Sequence, residues 1–443
     1  MNRKTATPFL TGALIGLTCV AFFNANFAAV AAGAFTSSMY QALDLFHVVF
    51  NGVRADYVEK PDEPTLIEGA INGMLGSLDP YSSYLAPNDL KAQQTEIPGE
   101  VGGLGLELTM ADGVIKVISP VDNSPASRAG MLANDLIVKI DGDDVGGITL
   151  DEAVKKLGGA VHSATTLTLM RKGNDKPFDV TLIHEEIPVR SVTSREDEQV
   201  GYIRISEFNQ GTTEGLKSAI NKIQSDIGKD KVKGYVLDLR NNPAGLIDQA
   251  IAVSSDFLDG GEIVEIRGRQ PDHAQRFTAT GSDLVAGKPI IVLVNGGSAS
   301  DSEIVAGALQ DHRRATIVGT RSFGKGTVQT IIPLGDKAAL RLTTGRYYTP
   351  SGRSIQTAGI TPDIVISENL PPELAKGQAP KISGADNAPL TSETSVAKDE
   401  SGSSGYIPPD PKDDTQLNYA LALLRGAQVN AAFPPDQSKA VPN

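Results

Sequence analysis

Residues from about 188 to 370 alternate between short apolar runs and segments with helical periodicity. The runs are apolar throughout, which is typical of strands covered on both faces, and the helical segments between them suit crossover connections. This pattern predicts an α/β core with a partly parallel sheet. The predicted strands are 200–205, 234–239, 289–294 and 315–319.

The chain has 443 residues, which at roughly 100–200 residues per domain indicates two or three domains. The predicted fold class is α/β (mixed α+β) and multidomain, with a helical N-terminal region, a small β-barrel-like unit and the α/β core. The predicted boundaries are 1–36 for a signal peptide or membrane anchor, 37–96 for the helical region, 97–187 for the small unit, 188–370 for the core, 371–412 for a disordered linker, and 413–443 for a C-terminal helix and tail.

The N-terminus carries an export pattern. Arg3 and Lys4 precede an apolar stretch over 10–20, and small residues follow at 28–32. An uncleaved anchor is the alternative, because weak apolar character continues to Phe35 and a membrane span needs about 20 residues. We expect an exported protein, either periplasmic or anchored and facing the periplasm, where no ATP supply exists.

Charge and cysteine content exclude several classes of partner and of site. The chain has 40 Lys and Arg against 53 Asp and Glu, a net charge of −13, which disfavours nucleic-acid partners. Its one cysteine, Cys19, rules out intramolecular disulfides and a thiolate metal site. The five histidines lack ligand spacing, so we expect neither a metal nor a cofactor.

Two helices could form contacts beyond the chain's own core. One has a seam of apolar residues spaced three or four apart, which favours packing on the body or a homodimer contact: Met39, Leu43, Phe46, Phe50, Val53 and Tyr57. The other is predicted over 415–425, with Gly426 as a stop. Both faces are candidate dimer surfaces.

The unit at 97–187 opens with glycines and continues with short β-like runs and two helix-like pieces, at 125–129 and 150–157. Its segments 103–106, 124–126 and 130–135 resemble a PDZ domain. In that family the glycine loop presents backbone N–H groups to a peptide's C-terminal carboxylate, and the next strand pairs with the peptide. The resemblance implies a tail-binding site formed by Gly103, Leu104, Gly105, Leu106, Val154 and Leu157.

Ser300 stands where a buried strand passes through glycines into a helix. A serine at such a junction suits a nucleophile, because nearby N–H groups and the helix dipole stabilise an oxyanion. The spacing of Ser300 and Glu303 is also that of a capping box, and this segment alone favours the cap.

Lys325 lies in a glycine-rich segment, 319–329, that nearly matches a P-loop. Gly326 stands where the magnesium-binding hydroxyl belongs, and a β-branched run follows in place of a helix, so we exclude nucleotide binding. A buried lysine can have a lowered pKa and act as a general base. Gln329, four residues on in an extended segment, would share its face and orient the amine.

Together with segments 77–82 and 237–243, these residues resemble the C-terminal processing (tail-specific) peptidases, which are serine proteases with a Ser–Lys pair and an inserted PDZ domain. The resemblance implies that Ser300 is the nucleophile, Lys325 the general base and Gln329 the residue that positions it. It also implies an oxyanion hole of backbone N–H groups, from Asp301 and from the turn at Ala244 and Gly245.

Two residues depart from the family pattern. Ala244 replaces a frequent glycine and would be strained if its φ were positive. Asp301 replaces a frequent alanine, and its carboxylate would oppose an oxyanion unless it points outward. A Ser–His–Asp triad through His312 is excluded, because eleven residues of helix separate it from Ser300.

We therefore expect an exported endopeptidase that recognises the apolar C-terminal tail of a protein or peptide substrate and cleaves nearby, with the PDZ unit as a candidate gate. An activator or adaptor protein is a further candidate partner. The alternative is an inactive or weakly active PDZ scaffold that retains the protease fold.

Overall fold

The computed structural model divides the chain into two compact units, residues 1–70 and 71–443. The residues it describes are 37–87, 103–111, 113–121, 124–172, 174, 176–185, 191–270, 272, 274–335, 338–368, 405–408 and 410–441. The predicted leader and residues 371–404 of the predicted linker lie outside these ranges. Within them, no helix is long and apolar enough to cross a membrane.

The N-terminal helices form as the periodicity predicts. Helix α1 is Ser37–Asp56 and α2 is Glu63–Gly76, followed by a short strand, β1, Ser83–Leu85. Along α1 the apolar seam is exposed, with Leu43 showing 51% of its surface. Phe46 and Phe50 stack on each other, since they lie four residues apart on one helix face.

The small unit is one antiparallel sheet with two helices. Its strands and helices are β2 Leu106–Ala111, β3 Val114–Pro120, α3 Pro125–Arg128, β4 Leu136–Ile140, β5 Asp143–Asp144, α4 Leu150–Leu157, β6 Ala164–Met170 and β7 Phe178–Ile183. The strand order is β2-β3-β4-β6-β7, with β5 paired to β4, so β2 is an edge strand. Helix α4 begins at a capping box in which Thr149 and Glu152 bond each other's backbone N–H groups.

The predicted α/β core contains a six-stranded sheet in the order β17-β14-β13-β10-β9-β8. All neighbours are parallel except β8 and β9. The core elements up to its last helix are β8 Val192–Asp197, β9 Val200–Ile205, α5 Thr212–Ile223, β10 Gly234–Asp238, α6 Ile247–Ser255, β11 Glu262–Gly268, β12 Gln275–Thr278, β13 Ile290–Val294 and α7 Asp301–Asp311. The remaining elements are β14 Thr316–Gly319, β15 Thr327–Leu334, β16 Ala338–Tyr348, β17 Ile364–Val365 and α8 Thr415–Arg425.

Helices cover both faces of this sheet, which explains why strands such as β10 and β13 are apolar throughout. Helices α5, α6 and α7 pack on one face. Helix α8 packs on the other through Leu417, Leu421 and Leu424. The apolar face of α8 is therefore buried within its own chain, which corrects the expectation that it offers a dimer surface.

A second sheet, which the sequence reading did not resolve, accompanies the core. It is antiparallel, in the order β1-β16-β11-β12 with β15 also paired to β16. Its longest strand, β16, pairs with both β15 and β1, and Ser83 of β1 lies opposite Arg341. This sheet carries the segment that follows Lys325.

A buried ion network fastens α8 to the end of β10. Arg240 bonds Asp238 at 2.7 Å and Asp414, the N-cap residue of α8, at 2.7 Å. Burial raises the pKa of Asp238, but the charges of Arg240 and Arg204 outweigh it and hold the pKa well below its usual range. Charges this deeply buried are tolerated only because each is paired and hydrogen-bonded.

Asp414→Asn tests this fastening. Asparagine is an equally good N-cap, so the substitution removes the charge that faces Arg240 and keeps the cap to Leu417. We expect urea-unfolding measurements to show a loss of about 3 kcal/mol, because a buried charge loses a partner. The exposed neighbour Asp413, changed to Asn, is the matched control; an equal effect in both variants would contradict the network's role.

Candidate active site

Three loops meet at the carboxyl edge of the parallel sheet. They follow β10, β13 and β14 and cover residues 239–246, 295–300 and 320–326. Because neighbouring parallel strands end at the same edge, loops distant in sequence lie side by side there, as in other α/β folds. Ser300 and Lys325 lie on two of these loops.

The first two loops are locked together by their asparagines. The Asn241 N–H donates to Asn295 Oδ1 and the Asn295 amide donates to Asn241 Oδ1, both at 3.0 Å. Gly297 lies against this pair, so close that a Cβ there would meet Asn241 Oδ1 at 2.4 Å. The glycine is thus required for the close approach of the two loops.

Ser300 has a strained backbone. Its φ of 51° and ψ of −106° lie outside the regions that L-residues ordinarily occupy, and α7 begins at the next residue. The residue is partly exposed, although the helix that follows is buried throughout. Strain of this kind persists only where surrounding contacts impose it, and it clusters at functional sites.

The Glu303 carboxylate joins the Ser300 loop to the Lys325 loop. Its Oε2 accepts the backbone N–H groups of Ser300 at 2.8 Å and Lys325 at 3.0 Å. Its Oε1 accepts the Gly324 N–H at 2.7 Å and the Ser322 hydroxyl at 2.5 Å. The capping contact expected from the Ser300–Glu303 spacing is therefore present, and the same carboxylate also fixes the loop of the lysine.

The glycines beside Lys325 are required by close packing. Gly324 has a φ of +90°, and a Cβ there would lie 2.9 Å from the Thr357 backbone. At Gly326 a Cβ would meet the Gln356 nitrogen at 2.3 Å. Close packing of the residues before and after Lys325 thus fixes the backbone position from which its side chain extends.

The Lys325 ammonium is paired with a carboxylate of the small β unit. Its Nζ donates to Glu107 Oε1 on β2 at 3.2 Å and lies 5.6 Å from the centre of the Tyr81 ring. The lysine side chain is 14% exposed. An ammonium in an ion pair has no lone pair, so in this arrangement it cannot accept a proton from Ser300.

Gln329 is directed towards neighbouring threonines. Its Nε2 donates to Thr327 Oγ1 at 2.9 Å and to Thr343 Oγ1 at 3.3 Å. The register shifts between Val328 and Gln329, and β15 begins two residues after Lys325, so a simple alternation of faces does not apply between them. The positioning role of Gln329 stays a prediction.

The predicted oxyanion turn is half-buried at Ala244 and exposed at Gly245. Ala244 does not have a positive φ, so alanine is accommodated there without the strain that the sequence suggested. Gly245 is exposed on one side and on the other packs against Phe208, whose carbonyl oxygen a Cβ would meet at 2.3 Å. Glycine is therefore the residue that this backbone approach permits.

Asp301 points inward. It is 2% exposed, and burial raises the pKa of its carboxyl to about 6, with the Lys325 charge and the N–H groups of Asp301 itself and Gly245 acting in the opposite direction. The side chain thus does not point outward, which is the orientation in which its charge would not oppose an oxyanion.

The predicted tail-binding residues gather between β2 and α4. Leu104 and Leu157 are buried in the unit's core, Leu106 is partly buried, and Val154 is 54% exposed beside the edge strand. The glycines that flank Leu104 have distinct roles. Gly103 exchanges backbone hydrogen bonds with Glu185, and Gly105 has a φ of 73°.

Sequence reasoning missed three contributors to the site. The sequence did indicate Glu303 through its spacing from Ser300, but that spacing was interpreted only as a helix cap. Tyr81 lies in segment 77–82, which carried the family resemblance without indicating this contact, and Glu107 carried no signal, because each reaches Lys325 only through the tertiary fold. His312 is the C-cap of α7, with Nε2 2.7 Å from the Glu262 carbonyl oxygen. Among the described residues, no group of three or more His, Cys, Asp or Glu side chains is placed to hold a metal ion.

Three segments of the chain match known protein families. Residues 199–366 match Peptidase family S41, residues 102–182 match the PDZ domain, and residues 24–88 match the Activating protease CtpB N-terminal domain. A solved structure titled photosystem II D1 C-terminal processing protease superimposes with a TM-score of 0.63 at 30% identity, over 75% of this chain and 94% of that one.

Two curated relatives span most of the chain. The carboxy-terminal-processing protease of Bartonella bacilliformis is 53% identical over 400 residues, 90% of this chain and 92% of the relative. A probable CtpA-like serine protease of Staphylococcus aureus is 38% identical over 321 residues, 72% of this chain and 63% of the relative. These matches and the fold define a serine protease with a PDZ domain. The chain belongs to peptidase family S41, among the C-terminal processing peptidases, as the sequence motifs predicted.

Glu303→Gln tests how stability depends on the carboxylate that joins the loops. Burial raises the pKa of Glu303 to about 7, against 4.5 ordinarily, even though four donors lower it. A raised pKa in the folded state means that the contribution to stability is complete below pH 4.5 and is lost as pH rises through 7. The free energy of unfolding of the wild type relative to Glu303→Gln should fall by about 3 kcal/mol across this window, at 1.36 kcal/mol per pKa unit.

Urea unfolding at intervals from pH 4.5 to pH 8 measures this difference. Glu214→Gln, at an exposed position on α5, is the charge-matched control and should give a flat difference. A flat difference for Glu303→Gln as well would mean that Glu303 titrates equally in the folded and unfolded chain.

Proposed function

We propose that this chain is an exported endopeptidase that uses a Ser300–Lys325 dyad to cleave proteins near an apolar C-terminal tail, which its PDZ domain recognises. The observation that carries the dyad is the Glu303 carboxylate, because it binds the backbone N–H groups of both residues at once. Export rests on the basic residues Arg3 and Lys4 and the apolar segment that follows them.

The proposed cycle needs only groups of this chain and water. With its amine neutral and unpaired, Lys325 takes the proton from Ser300 Oγ, which attacks the scissile carbonyl. The N–H groups of Gly245 and Asp301 stabilise the resulting oxyanion. Lys325 then gives its proton to the leaving amine, leaving an acyl-enzyme. Lys325 in turn deprotonates water, which attacks the ester, and as the carbon–oxygen bond to Ser300 breaks, Lys325 returns that proton to Ser300 Oγ.

Ser300→Ala and Lys325→Ala test the dyad. Each should lower kcat for a peptide with an apolar free C-terminus by roughly 10⁴-fold or more, as loss of a nucleophile or base does in other serine proteases. Lys229→Ala, at an exposed position of the core, is the matched control. If Ser300 were only a cap, its alanine variant would retain activity and lose about 0.5–2 kcal/mol of stability.

Tail recognition is supported by the position of β2, which is the edge strand of its sheet among the residues that the structure describes. A peptide that adds to an edge strand gains backbone hydrogen bonds along it, and its last side chain enters a pocket beside the strand. Here the apolar side chains of Leu106, Val154 and Leu157 border that edge. Apolar side chains in this position favour an apolar terminal residue.

A gating role for the PDZ domain is supported by Glu107. It follows Leu106 directly on β2, so the strand that would bind the tail also holds the Lys325 ammonium. Burial and the charge of Glu107 raise the pKa of Glu207. A tail that moved β2 would release the Lys325 amine for catalysis.

Glu107→Gln, assayed with matched free and amidated peptides, tests recognition and gating together. Wild type should cleave the free peptide at least ten-fold faster. Glu107→Gln should raise cleavage of the amidated peptide several-fold, because Lys325 loses its ion pair. Asp144→Asn removes an exposed carboxylate paired with Lys139 elsewhere in the PDZ domain and should change neither rate. Equal wild-type rates on both peptides would contradict tail recognition, and an unchanged Glu107→Gln rate would contradict the gate.

A non-catalytic PDZ scaffold is the second candidate, favoured by the paired state of Lys325 and by the inward Asp301 carboxylate. It predicts that wild type cleaves neither peptide, although it binds the free peptide and not the amidated one.

A further inference from the structure

Two consecutive residues of the turn after β10 hold the chain segment that precedes α8. We call this segment the clasp; it comprises residues 405–408 and 410–414. Asn241 Nδ2 donates to the Gly405 carbonyl oxygen at 2.8 Å. The neighbouring Arg240 donates from Nη2 to Asp414 Oδ2 at 2.7 Å. The clasp is therefore bound to the turn at its first residue and at its last.

The N–H, the carbonyl oxygen and both side-chain polar atoms of Asn241 have partners. Beside the bond from Nδ2 to the clasp, its N–H and Oδ1 bond Asn295. Its carbonyl oxygen lies 3.1 Å from Ser119 Oγ on β3 of the PDZ domain, a hydroxyl that also lies 3.0 Å from the Pro120 carbonyl oxygen. The φ of Asn241 is 52°, which asparagine adopts more readily than most residues. One residue thus connects the turn with the loop after β13, the PDZ domain and the clasp.

The same turn is bonded to both sides of Ser300. The Asn242 carbonyl oxygen accepts the Ala299 N–H at 3.0 Å and the Ser302 hydroxyl at 2.8 Å. Three residues further along the turn, Gly245 supplies an N–H that the proposed mechanism uses for the oxyanion. Because these bonds join the turn to the start of α7, a shift of the turn would disturb the nucleophile and this donor together. A misplacement of about 1 Å can lower a reaction rate by about 10²-fold.

Gly405 is required for the close approach of the clasp. Its φ is +61°, and a Cβ there would lie 2.7 Å from the Ala133 Cβ of the PDZ domain and 2.9 Å from Asn241 Oδ1. Glycine adopts this φ without strain, whereas any other residue would also collide with these neighbours. A side chain at 405 would therefore push the clasp away from Asn241.

We propose that Asn241 is a positioning residue of the active site and that the clasp holds it in the orientation that catalysis requires. This inference rests on the proposed roles of Ser300 and of the Gly245 N–H. It gives the segment that precedes α8 a part in the reaction, through Asn241. The expected signature is a lower kcat with an unchanged KM, since neither Asn241 nor Gly405 belongs to the proposed tail-binding residues.

Gly405→Ala and Asn241→Asp break this contact from its two ends. The alanine Cβ displaces the clasp. The aspartate tolerates a positive φ and keeps the acceptor for the Asn295 amide, but it replaces the N–H donor to Gly405 with a second oxygen. Each variant should lower kcat for the free peptide by about 10- to 100-fold and leave KM within about two-fold of wild type. Labelling of Ser300 by a fluorophosphonate, a probe without a tail, should slow by the same factor.

The double variant tests whether the two residues act as one unit. Both changes remove the same contact, so Gly405→Ala combined with Asn241→Asp should be no slower than the slower single variant. Effects that multiply would mean that the clasp and Asn241 act independently, which would overturn the proposal.

Gly426→Ala is the matched control for backbone strain. Gly426 also has a positive φ, of 78°, but an added Cβ meets no described atom within 4 Å. It should retain the wild-type kcat, and an equal fall there would reduce the effect at Gly405 to lost stability. If the two clasp variants keep the wild-type kcat while Ser300→Ala is inactive, the positioning role is wrong and the dyad stands. If Ser300→Ala is as active as wild type, or wild type is inactive, the dyad is wrong and this inference falls with it.

Discussion

The buried Glu303 carboxylate is the interaction on which the site depends. An ionised carboxylate away from water is tolerated only when donors surround it, and Glu303 has four, from Ser300, Ser322, Gly324 and Lys325. Three of the four are backbone N–H groups, so the contact sets the path of the main chain. One side chain thus fixes the strained start of α7 and the loop before β15 relative to each other, although 22 residues separate Glu303 from Lys325.

The sheet supplies the setting in which such a contact can form. Parallel strands β10, β13 and β14 deliver three loops to one edge, and the asparagine pair across Asn241 and Asn295 holds the first two in register. The end of β10 is secured in turn from the far C-terminus, because Arg240 binds the N-cap of α8. Asp414 therefore stabilises the turn after β10, although Arg240 lies 174 positions earlier in the sequence.

Periodicity predicted the apolar strands and the amphipathic helices, because burial on a fixed face imposes a repeat. The glycine loop of the PDZ domain and the junction at Ser300 have no such repeat and were predicted from their glycines and from the resemblance to known families. The second sheet was not predicted, since β15 is mostly exposed or half-buried and has no consistent apolar repeat. The contacts of Arg240 with Asp414 and of Lys325 with Glu107 join residues 174 and 218 positions apart, and no repeat in the sequence encodes such pairs.

Carboxylates from two domains attract the Lys325 ammonium. Glu107 binds the amine directly, while Asp301 acts on it from the nucleophile's own helix. On the proposed roles, a tail that binds β2 acts on Glu107, the member of this cluster that contacts the amine directly, so the PDZ domain can control the base through one ion pair.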